Sequence, residues 1–129
     1  MIRQDYFIRL IEEFAAALAV MLKKKEDERD DSLRELYRQY VGDYTLVRNM
    51  SVDELIGYAA NEWNDEERID RLEMVAELLY AEGSYKTNPL RNMLLEKAYL
   101  LFAYVDEKQS VYSIERKTKI AKLRSILHE

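Results

Sequence analysis

Three glycines and one proline in 129 residues leave few places where this chain can turn sharply. Gly and Pro supply the backbone angles on which tight hairpins depend, so a sandwich or barrel of many short strands has no material for its corners. With 48% apolar and 35% charged residues, the chain can bury the inner faces of long helices and cover their outer ones. An all-α fold follows, and the length suits one domain spanning 1–129. Ten tyrosines, three phenylalanines and one tryptophan argue against disorder.

Apolar spacing predicts about six helices in antiparallel pairs, arranged either as a stack of helix pairs or as an irregular helical bundle. From Arg3 to about Lys25, Tyr6, Phe7, Leu10, Ile11, Phe14, Leu18, Met21 and Leu22 recur mostly at steps of three and four. The charged run 23–31 reads as a helix end and a solvated connection. A second helix is expected to open at Asp31 or Ser32, carry Leu33, Leu36, Tyr37, Tyr40 and Val41, and stop at Gly42. Positions 44–49 read as a connection. Ser51 and Glu54 have capping-box spacing before Leu55, Ile56, Ala59 and Ala60, a helix that Trp63 ends. Glu66 to about Tyr85 keeps helical spacing, and Pro89 suits the first turn of a helix capped by Thr87 or Asn88 that runs to Val105. The last helix starts near Ser113, with Ile114, Ala121, Leu123 and Leu127 as its apolar members.

The residue inventory removes most catalytic chemistry. There is no cysteine, hence no disulfide, thiol nucleophile or Cys-zinc site. The single histidine, His128, stands next to the chain end, where a solvated side chain is expected. Gly42, Gly57 and Gly83 are isolated, so no phosphate-binding glycine loop exists. No cofactor is implied. The apolar run 14–22 is far shorter than the ~20 residues of a membrane span. Asp5, Glu12 and Glu13 break the order of a signal peptide, which gives the expectation of a soluble, cytoplasmic protein that keeps its N-terminus.

Charge is uneven behind a net value of −5. Residues 51–82 hold ten acids against Arg68 and Arg71, whereas Arg116, Lys117, Lys119, Lys122 and Arg124 make the last helix basic. Glu66, Asp70, Glu73 and Glu77, at steps of four, three and four, form one acidic stripe. These opposite segments either lie against each other and set the register of the last helix, or form separate surfaces, the acidic one receiving a basic partner.

Two resemblances carry further expectations. The opening Met1-Ile2-Arg3-Gln4-Asp5-Tyr6, with Arg9, Ile11, Glu12 and Glu13, resembles an uncharacterised bacterial family of small all-helical proteins. Gly83 and Tyr85 at the end of one helix, with Glu96, Lys97 and Ala98 in the next, are similar to a tetratricopeptide helix pair over 71–105, about one 34-residue repeat. The latter implies a helical-repeat scaffold that receives a peptide or partner helix.

The leading expectation is a non-enzymatic helical scaffold that binds a protein or peptide, with a homodimer as one form of it. Tyr37, Tyr40, Tyr80 and Tyr99, with the stripe Glu66, Asp70, Glu73 and Glu77, are the candidate partner-binding residues. One alternative is a small-molecule or metal site between helices, using Glu12, Glu13 or the stripe carboxylates. Another is DNA contact through the basic last helix, which the neighbouring acidic helix opposes by repelling phosphate.

Overall fold

A computed structural model describes residues 5–128; the Met1-to-Gln4 part of the first resemblance, the expected helix start at Arg3, and Glu129 lie outside it. Among the described residues there are seven α-helices and no strand.

Helix α1 (Asp5–Leu22) buries Phe7, Phe14, Leu18 and Met21, which recur on one side of the helix. Arg29 closes its end, Nη2 donating to the last helical carbonyl, Leu22 O (3.2 Å), and Nε to Lys24 O (3.0 Å) just beyond it. Helix α2 (Glu26–Tyr40) begins five residues before the expected Asp31, because the charged run is itself its first turns. Glu26, Asp27 and Glu28 lie there against the positive end of the helix dipole, and Lys25 at the N-cap makes no side-chain cap bond.

Gly42 has φ +132°, a left-handed angle that ends α2 as expected, and its N–H donates to Tyr37 O (2.7 Å). A Cβ there would collide with the Tyr58 hydroxyl, which donates to Val41 O (3.1 Å). The expected connection at 44–49 contains a four-residue helix, α3 (Tyr44–Val47). Asp43 caps it by accepting from Leu46 N–H at 3.0 Å, and Val47 is wholly buried. In α4 (Val52–Glu62) the Ser51–Glu54 capping box forms as read: Ser51 N–H donates to Glu54 Oε1 (2.9 Å) and Glu54 N–H to Ser51 Oγ (3.2 Å).

Helices α5 (Arg68–Tyr85) and α6 (Leu90–Lys108) form the centre. Gly83 lies beside Leu95 near their connection, Tyr80 meets Phe102 further along, and Gln109 bonds Asp70 at the far end, so the two run antiparallel. A Cβ on Gly83 would stand 2.7 Å from Leu95 Cδ2. Pro89, not Thr87 or Asn88, is the N-cap of α6 and makes no side-chain cap bond; Asn88, one residue earlier, accepts at Oδ1 from Asn92 N–H (3.1 Å). Ser113 caps α7 (Ile114–Leu127) by accepting from Arg116 N–H at 3.1 Å. Leu123 enters the core as expected, but Ile114 and Ala121 are exposed; Arg116 holds that side of the helix inward instead. One continuous core runs through all seven helices, with α5 touching α1, α2, α4 and α6.

Candidate functional site

The acidic stripe on α5 is not a free face. Asp70, 8% exposed, accepts from Gln109 Nε2 at 2.7 Å. Glu73 faces Arg116 Nη1 at 3.2 Å, and Glu77 accepts from Lys119 Nζ. Only Glu66 stays exposed, and it lies in the turn before α5, which begins at Arg68 rather than at the expected Glu66. The basic last helix therefore lies on the stripe, and the opposite charges that the sequence separates are joined inside the fold. As a docking surface for an outside partner, Asp70, Glu73 and Glu77 are corrected to an internal seam, because their carboxylates already carry partners.

Arg116 is the hub of that seam. It is 4% exposed and donates to Asp106 Oδ1 (2.9 Å) and Val111 O (3.0 Å) besides Glu73. Hydrogen bonds from Lys117 and Arg116 hold the Asp106 carboxyl below its ordinary range. Burial pushes the Glu73 carboxyl up, against the lowering influence of Arg116.

A second ionic group, which the sequence reading did not single out, sits where α2, α3 and α5 meet. Glu82, 1% exposed, accepts from Arg48 Nε (3.1 Å) and Nη2 (2.7 Å) and from the Tyr44 hydroxyl (3.1 Å). From α6, Lys97 Nζ donates to Arg48 O and to Met50 O (3.2 Å), closing the carbonyl end of the short α3. Burial lowers the Lys97 pKa, and the nearby Arg48 lowers it further. The Tyr37 hydroxyl, buried close by, has no hydrogen-bond partner among the described residues, and burial raises its pKa well above the usual phenol value. Glu82 and the Tyr37 hydroxyl are its buried heart, and its geometry anchors α3 to α5. Residues 34 positions apart in sequence make it, with no motif between them.

The candidate tyrosines do not converge. Tyr37 and Tyr40 are buried, so an outward edge at these positions is corrected: Tyr37 packs edge-on to Tyr44 (5.1 Å between centroids) and Tyr40 to Phe14 (5.2 Å). Tyr80 is half-buried and lines a groove of about 320 Å³ with Ala15, Leu18, Ala19 and Leu22. Tyr99 lies on another face, where Arg124 Nε donates to its hydroxyl (3.3 Å) and the His128 ring packs edge-on.

An open, mostly apolar groove lies between α4 and α6. Val52, Ile56, Leu100, Ala103 and Tyr104 line a groove of about 650 Å³, with Asp53, Lys97 and Glu107 around them. Leu100 is 45% exposed there. The sequence carries a trace of it: 97, 100, 104 and 107 recur at steps of three, four and three, next to the buried Leu101 stripe.

Among the described residues, no group of three His, Asp or Glu side chains is arranged to hold a metal ion, and no helix is long and apolar enough to cross a membrane. Compared with known proteins, the chain matches no family model, no curated protein and no solved structure.

Proposed function

We propose that this protein is a cytoplasmic, non-enzymatic helical scaffold that binds an amphipathic helix of a protein or peptide partner in the groove between α4 and α6. The observation that carries the reading is the open apolar lining of that groove, formed by Val52, Ile56, Leu100, Ala103 and Tyr104. An amphipathic helix inserts apolar side chains at i, i+3, i+4 and i+7, and a trough between two helices receives such a row. Asp53, Lys97 and Glu107 supply charges of both signs to fix its orientation. Support also comes from the α5–α6 hairpin, which coincides with the segment similar to a tetratricopeptide pair. We further propose a bacterial origin, on the N-terminal resemblance to a small all-helical bacterial family, and a repeat-like scaffold, on the tetratricopeptide similarity.

The test is photo-cross-linking in cells that make the protein, from position 100 and, as a control, from Gln39 on the exposed side of α2. A discrete adduct is expected from position 100 only, and Ile56→Glu is expected to abolish it. Equal labelling from both positions, or none from position 100, refutes the reading.

A further inference from the structure

The outward side of α1 carries a charge pattern that is complementary to itself when reversed. At about 100° per residue, Glu12, Ala16, Ala19 and Lys23 fall along one line of the helix and its closing turn. All four are exposed. Around them lie large apolar side chains left in solvent: Val20 is 58% exposed, Ile8 41% and Leu22 37%. Apolar surface continues on both flanks, into the groove with Tyr80 and Ala81 and into a second groove against α2 lined by Ala17, Val20 and Leu36.

We propose that this face binds a second copy of the same chain, α1 against α1, antiparallel about a two-fold axis near Ala17 and Leu18. The pairing follows from the order of residues. In an antiparallel pair centred there, Glu12 of each copy faces Lys23 of the other, and Ala16 faces Ala19. On one flank Leu22 meets Ala15; on the other Glu13 meets Lys24, beside Val20. All the charged residues in these pairs are exposed, so none has to leave a buried site to make the contact. A parallel, in-register pair instead sets Glu12 against Glu12 and Lys23 against Lys23, so the charges select the antiparallel arrangement. The two-fold makes the interface isologous, using one patch twice. The alanines let the two axes approach to about 8 Å, the short end of helix packing distances.

The 18-residue helix is about 27 Å long, so one helix pair falls in the class of small, reversible interfaces, with a dissociation constant in the micromolar range. This inference uses a different face from the α4–α6 groove and goes beyond the partner-binding reading.

Sedimentation velocity of the full chain from about 1 to about 500 μM tests it. A monomer–dimer equilibrium is expected. Glu12→Lys and Lys23→Glu each set like charges against each other twice and are expected to weaken the dimer at least about tenfold. The double swap Glu12→Lys/Lys23→Glu restores the order in reverse and is expected to restore the dimer. Because both positions are exposed, helical content by circular dichroism stays that of the parent in all three variants, which separates loss of association from loss of fold. Ile56→Glu, which blocks the other groove, is expected to leave the dimer intact. A monomer throughout the range, a dimer indifferent to the single swaps, no rescue in the double swap, or dimer loss on Ile56→Glu overturns the proposal.

Discussion

Replacing Arg48 by methionine removes the cation that faces Glu82 while leaving a side chain of similar reach in place. The Glu82 side chain is 1% exposed and that of Arg48 14%, so solvent cannot take over the lost interaction. Breaking a buried pair by deleting one partner costs about 3–5 kcal/mol, because the remaining charge stays buried without compensation. The Tyr44 hydroxyl still donates to Glu82, which puts the expected loss at the lower end, about 3 kcal/mol. For a chain of this size that is a fall of roughly 10 °C in Tm. Urea unfolding followed by far-UV ellipticity at neutral pH measures it. Arg48→Met/Glu82→Gln removes both charges and keeps an acceptor for Tyr44, so the double variant is expected to recover about 2 kcal/mol of the loss. A cost under about 1 kcal/mol, the range of exposed pairs, refutes the argument, and so does a double variant no more stable than Arg48→Met.

Two helical glycines should respond oppositely to alanine. Nothing lies within 4 Å of a Cβ at Gly57, so Gly57→Ala is expected to stabilise by about 0.8–1 kcal/mol. Gly83→Ala gains the same propensity but drives a methyl into Leu95, and is expected to destabilise by about 1–2 kcal/mol net; thermal unfolding of both variants decides, and a stabilised Gly83→Ala refutes the close approach of α5 and α6. The α5–α7 seam gives pH effects of opposite sign. Asp106, held below its ordinary 3.8, stabilises the fold above that value and loses this as pH falls, so the stability gap between the parent and Asp106→Asn should close below about pH 4. Glu73, raised by burial, favours the fold below its ordinary 4.5 and loses this as pH rises, so Glu73→Gln should gain on the parent as pH rises above about 4.5; thermal melts from about pH 3 to 7 check both, and parallel curves refute them.

What the sequence disclosed followed the range of the interactions. The Ser51–Glu54 box, the left-handed Gly42 and the Ser113 cap are made by residues within a few positions of one another, and each was legible. The start of α2 was not, because 26–31 lacks apolar residues and its helix begins on acid-to-dipole attraction and the tertiary anchor of Arg29. α3 escaped for a related reason: four residues show no period, and their stability comes from Asp43, Lys97 and the Glu82 pair. The charge polarity of the chain was visible, but that Arg116 reaches Glu73 across 43 positions needed the packed helices. The same distance hid the burial of Tyr37 and Tyr40: spacing put them on one stripe without saying that α1 and α3 cover it.

The antiparallel α5–α6 hairpin also imposes an order on how the molecule opens. α1 and α4 lean on α5, and α7 is clasped to it through Glu73 and Glu77, so each can lift away while the hairpin stays shut. The hairpin cannot part without releasing them all. Amide protons along 72–82 and 94–105 should therefore exchange with solvent only through global unfolding, while those of α1 exchange through a smaller, cheaper excursion that frees one helix at a time.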